Sequence, residues 1–107
     1  MKLILAIVSN DDATAVIKAL SKEKFQTTKL ATTGGFLSKG NSTLITGCED
    51  KDVKKAIEII NSESKKRTEL VPSTIPYNAG EILSSPIEVT IGGATIFVLN
   101  VDEFYKL

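Results

Sequence analysis

The feature that most constrains the fold of this chain is an internal echo. Ala13, Val16, Ile17 and Leu20 recur at i, i+3, i+4 and i+7, and the same spacing returns at Val53, Ala56, Ile57 and Ile60, forty positions later. That spacing gathers apolar side chains into one stripe along an α-helix. On the first helix, expected over about residues 11–24, Lys18, Ser21, Lys22 and Glu23 fall mostly on the wet side. Asn10, Asp11 and Asp12 stand before one stripe and Asp50 before the other, where short polar side chains cap a helix. Each stripe also follows a β-rich apolar run, residues 3–8 in the first case and 43–46 in the second, with Leu44-Ile45 at the offset of Ile4-Leu5.

Two halves of matched period, each a strand feeding a helix, predict an α+β domain. Residues 26–33, rich in threonine, read as a further strand broken by Gly34-Gly35, and residues 36–42 as a short loop holding Gly40 and Asn41. The resulting unit is a ferredoxin-like βαββαβ sandwich, an antiparallel sheet with both helices on one face. Residues 87–91 alternate cleanly, Gly92-Gly93 suits a two-residue turn, and residues 94–101 continue as a strand, which predicts a closing hairpin. Residues 67–71 have the makings of a short strand. The stretch 72–85 carries Pro72, Pro76 and Gly80 without period, a long connection of the kind that serves function in small domains. Two helices cover one side of such a sheet, yet residues 3–8 and 94–101 are apolar on both sides. The uncovered face predicts an oligomer that buries it.

Length and composition narrow the function. The 107 residues fit one domain, 1–107. Thirteen basic residues balance thirteen acidic ones, so the basic excess of a general nucleic-acid binder is missing. Cys48 is the one cysteine, which precludes an intrachain disulfide and points to a cytoplasmic protein. The apolar N-terminal run ends after about seven residues at Ser9-Asn10-Asp11-Asp12, without a cleavage site and far short of the ~20 residues of a membrane span. It reads as a buried strand. Histidine is absent, and with it the commonest general base and zinc ligand. With no Cys–His pair and no carboxylate pair away from the helix starts, the expectation is no enzyme, no metal and no cofactor.

The segment from Thr28 to Asn41 is the most informative for binding. Paired glycines let backbone N–H groups approach an anion, and threonine hydroxyls add donors. Phe36 suits stacking on a base, and the Asn41 amide has the donor–acceptor pair that reads an adenine edge. The same residues also fit an ordinary hairpin with Phe36 turned inward. No Gly-Lys-Ser/Thr follows, so this is not a Walker loop. Gly92-Gly93 suits either a tight turn or close approach of backbone to a ligand. Cys48 reads as a buried structural thiol, Asp11-Asp12 and Glu49-Asp50 as capping groups, and Lys65-Lys66-Arg67 as a solvated helix end suited to the dipole or a minor phosphate contact.

These residues carry a family resemblance. The run LATTGGFL at 30–37 with GNST at 40–43, the opening MKLILAIV, and IEVTIGGATIFVLNVDEFYKL at 87–107 resemble the cyclic di-AMP receptor branch of the PII-like signalling proteins. The resemblance covers nearly the whole chain. It implies a ferredoxin-like homotrimer without catalytic activity that binds the second messenger cyclic di-AMP in clefts between subunits. It also implies a short loop after the second strand and a long one before the last hairpin. The segment 72–85, with Tyr77 and Ile82 as apolar handles, reads either as the output element whose rearrangement passes the signal to a downstream protein or as a passive surface loop. The ligand positions it implies are Thr28, Gly35, Phe36, Leu37, Asn41, Gly47 and Gly92, all matched here.

The chain departs from that pattern at Gln26, where the resemblance implies arginine, and at Lys24, where it implies asparagine. Its long loop is shorter and lacks a Met-Gly-Gly run. Loss of an arginine on a phosphate or base costs ~1–3 kcal/mol, and Lys24 offers a charge that restores part of it. The alternative is therefore a PII-like trimer that takes ATP or ADP, or that serves only as a protein-interaction module. An RNA-recognition domain needs aromatics on the first and third strands, which this chain lacks. An acylphosphatase-type hydrolase needs an N-terminal arginine, and the one arginine is Arg67. A metal-responsive trimer is disfavoured by the missing histidine.

Overall fold

The computed structural model describes residues 1–30, 40–72 and 86–107. In chain order the elements are β1 (Lys2–Ser9), α1 (Asn10–Lys22), β2 (Thr27–Leu30), β3 (Asn41–Cys48), a 3-10 turn (Asp50–Asp52), α2 (Val53–Glu63), β4 (Arg67–Pro72), β5 (Pro86–Ile91) and β6 (Ala94–Asn100). An antiparallel sheet runs in the order β2-β3-β1-β6, and β4 pairs with β5 in a separate ribbon. The protein is thus an α+β fold, and its main sheet has the strand order of a ferredoxin-like unit.

The repeated stripes form the core. Val16 and Ala56, matching positions forty apart, are both buried, as are Leu20 and Ile60. They pack on Ile4, Ala6, Val8, Leu44 and Cys48, the strand residues whose side chains share the helix-covered face. Strand alternation sends the intervening residues to the other face. There Leu3, Leu5 and Ile7 of β1 lie opposite Gly47, Ile45 and Thr43 of β3 and opposite Leu99, Phe97 and Thr95 of β6. Leu30, Phe97 and Leu99 are exposed, at 40%, 53% and 47%, so an apolar surface runs across the sheet where no helix covers it.

Helix ends are set differently from the sequence reading. The N-cap of α1 is Ser9, whose hydroxyl accepts from the Asp11 N–H at 3.4 Å. Asp12 is buried and serves another purpose, described below. At the other end the Phe25 N–H donates to the Leu20 carbonyl and the Lys24 N–H to that of Ser21, both at 2.9 Å. This paired bonding closes the helix through Lys24, which sits at φ 67°. Asp50 does not cap α2. It opens the 3-10 turn, and its carboxylate pairs with the N-terminal ammonium at 3.1 Å.

Gly92-Gly93 is not a hairpin turn either. β5 pairs with β4, and β6 pairs with β1, so the two glycines join the ribbon to the main sheet. Both have positive φ, 85° and 83°. Asn41 is not a loop residue but the first residue of β3, opposite Ser9 of β1.

Candidate functional site

Of the sequence-derived ligand positions, Thr28, Asn41, Gly47 and Gly92 are described. Gly35, Phe36 and Leu37 lie outside the described residues, as does all but Pro72 of the segment 72–85 expected to be the output element. The four described positions form two groups. Thr28 and Gly47 line one cavity of about 340 Å³ with Gln26, Ile45, Leu3 and Phe104. Asn41 and Gly92 line another, of about 290 Å³, with Ser9, Lys66, Gly93 and Thr95. Asn41 and Gly47 are the first and seventh residues of the extended strand β3, which separates them by roughly 20 Å. A single chain therefore presents the described positions in two separate cavities, candidate half-sites at opposite ends of its sheet.

The Thr28 half-site is an apolar floor with a polar rim. Pairing of Thr28 with Ile45 puts its hydroxyl on the face that carries Gly47. A Cβ built on Gly47 meets nothing within 4 Å, so the strand backbone is open to a close approach at that point. The wall is supplied by the segment after β6, fastened by the Val101 N–H donating to the Met1 carbonyl at 3.2 Å. Phe104 stands in that wall, 60% exposed.

The Asn41 half-site is polar and sits at the base of the β4–β5 ribbon. Gly93 donates its N–H to the Ser64 carbonyl, which ties the glycine junction to the end of α2. A Cβ on Gly92 would overlap the Lys65 carbonyl oxygen and lie 2.9 Å from Arg67 Nη1. Arg67 is no solvated helix end. It begins β4, and its guanidinium grips Asp12 through Nη2–Oδ1 at 2.9 Å and Nη1–Oδ2 at 3.3 Å. That fork raises the Arg67 pKa, mainly through the hydrogen bond to Asp12, and it joins the first turn of α1 to the ribbon.

The model of the cyclic-di-AMP receptor family matches residues 1–107, the whole chain. The chain belongs to that family. A crystal structure of a functionally unknown protein from Pediococcus pentosaceus is 40% identical to this receptor-family chain. It superposes with a TM-score of 0.75, covering 99% of this chain and 96% of the other.

The sequence-derived positions fall at both ends of β3, where other residues line the same two cavities. Ser9, Lys66 and Thr95 beside Asn41, and Phe104 beside Thr28, have no spacing signal: strand pairing places Ser9 and Thr95, while Lys66 lies in the link between α2 and β4 and Phe104 in the segment after β6. Cys48 fits its expected role as a buried thiol. Its pKa is raised by burial and then by the carboxylates of Asp52, Asp50 and Glu49, which suppresses the reactive thiolate. Among the described residues no three His, Cys, Asp or Glu side chains cluster as metal ligands, and no helix is long and apolar enough to cross a membrane.

Proposed function

We propose that this chain is a non-catalytic signalling receptor that binds cyclic di-AMP in the clefts between subunits of a PII-like homotrimer. The observation that carries the reading is the match of the entire chain to the cyclic-di-AMP receptor family. Two features of the structure support its finer parts. The described ligand positions divide between two ends of one sheet, an arrangement that suits a ligand held by two neighbouring chains. The apolar face through Leu5, Ile7, Ile45, Phe97 and Leu99 is a surface for those neighbours, since monomeric proteins seldom expose such a patch, and a three-fold ring closes it without leaving a free copy of the contact.

In that cleft each group has a task suited to its chemistry. The Asn41 amide reads the adenine edge, the Thr28 hydroxyl donates to a polar atom of the ligand, and the open backbone at Gly47 lets the nucleotide lie close. Phe36 stacks on a base. The segment 72–85 is the proposed output element: it joins β4 to β5 at the Pro72–Pro86 end of the ribbon, the end opposite Gly92, so a ligand beside Gly92 acts on its population through the ribbon. No turnover is part of this scheme.

Gln26 lines the Thr28 half-site where the resemblance implies arginine, and this favours keeping ATP and ADP as rival ligands. Calorimetric titration of the purified protein against cyclic di-AMP, ATP and ADP separates them. The receptor reading expects saturable binding of cyclic di-AMP with no product formed. Preference for ATP or ADP, or no heat with any of the three, contradicts it.

A further inference from the structure

The cavity beside Asn41 has a charge pattern of its own. Its walls carry Ser9, Asn41, Thr95 and Lys66 and, among the described residues, no carboxylate. The Lys66 stem lies flat against Gly93: a Cβ built there would be 3.1 Å from Lys66 Cγ and 3.2 Å from Cε. Glycine at 93 thus leaves room for a long cationic side chain along the cavity wall, its methylenes covered and its ammonium free to meet a ligand. No ion pair engages Lys66 among the described residues. The neighbouring Arg67, by contrast, is committed to Asp12, and it is the one arginine of the chain. Gln26 at the other half-site is neutral. A dinucleotide with two phosphodiester charges calls for a cation, and among the described residues Lys66 is the one cationic side chain that lines either cavity.

From this geometry we infer that Lys66 is a ligand-binding residue, the cation that holds a phosphodiester of the nucleotide against the Ser9–Asn41–Thr95 wall. The inference rests on the receptor reading above and adds the residue that supplies the charge. It also gives Gly93 a function distinct from that of Gly92: the first glycine clears the Lys65 backbone, and the second seats the Lys66 stem.

The test compares wild type, Lys66→Met and Lys66→Arg by calorimetric titration with cyclic di-AMP at low and at raised salt. Methionine keeps a stem on Gly93 and removes the charge. Lys66 is exposed, and the thermal midpoint of both variants should match wild type. Expected is a loss of roughly ten- to a hundredfold in affinity for Lys66→Met, with a flatter salt dependence, and near wild-type binding for Lys66→Arg. Wild-type binding that Lys66→Met leaves unchanged at both salts overturns the assignment of Lys66 while the receptor reading stands. Wild type that fails to bind at all overturns both.

Discussion

Gly47 and Gly92 are both glycines at implied ligand positions, and the structure separates what each contributes. At Gly47 the backbone is ordinary strand and a Cβ would meet nothing within 4 Å. At Gly92 φ is 85° and a side chain strikes the Lys65 backbone and the Arg67 guanidinium. Gly92→Ala should therefore destabilise the fold by about 2 kcal/mol or more, lowering the melting midpoint by roughly 10 °C, and any loss of binding must be corrected for unfolded protein. Gly47→Val should leave the midpoint unchanged or higher, since valine suits a strand, yet abolish cyclic di-AMP binding by filling the cavity floor. Unimpaired binding by Gly47→Val would remove that position from the site. The sequence shows both glycines and cannot tell them apart, because the carbonyl that makes Gly92 obligatory comes from a segment more than twenty residues away.

Among elements, the two helices and the strands they cover were legible because each carries its own periodicity: the Val16–Leu20 and Ala56–Ile60 pairs are buried as their spacing requires. The β4–β5 ribbon was not. Residues 87–91 and 94–101 flank a glycine pair like the arms of a hairpin, and local pattern cannot say that one arm pairs with β4 and the other with β1. Arg67 was misread for a related reason, since its partner Asp12 lies 55 residues away. The Arg67–Asp12 fork is the strongest described polar link between the ribbon and α1. Arg67→Ala leaves the Asp12 carboxylate buried without its guanidinium, so the melting midpoint should fall and amide exchange in β4 should quicken. Arg67→Lys should recover only part of the loss, because an ammonium cannot make the two parallel bonds. Exchange in β4 that is the same in wild type and Arg67→Ala would show that the ribbon is held by other contacts.

For the whole molecule, the unfilled sheet face and the divided half-sites lead to one account, in which assembly creates the binding site. Phe97 is more than half exposed in a single chain, where an aspartate costs little. In the proposed trimer the same aspartate is buried against apolar neighbours at high cost. Phe97→Asp should thus give folded monomers by light scattering and lose nucleotide binding, whereas an intact trimer from this variant would place the subunit contact elsewhere. The account's central claim, that one ligand is held by the Thr28–Gly47 end of one chain and the Asn41–Gly92 end of its neighbour, is tested most directly by mixing. Gly47→Val and Asn41→Ala each disable one half-site. Unfolded together and refolded, the two variants should form mixed assemblies in which some clefts join an intact half from each chain. Calorimetric titration of that mixture with cyclic di-AMP is expected to reveal a population of sites of wild-type affinity that neither variant has alone. A mixture that binds no better than the average of the two separate variants would contradict the account.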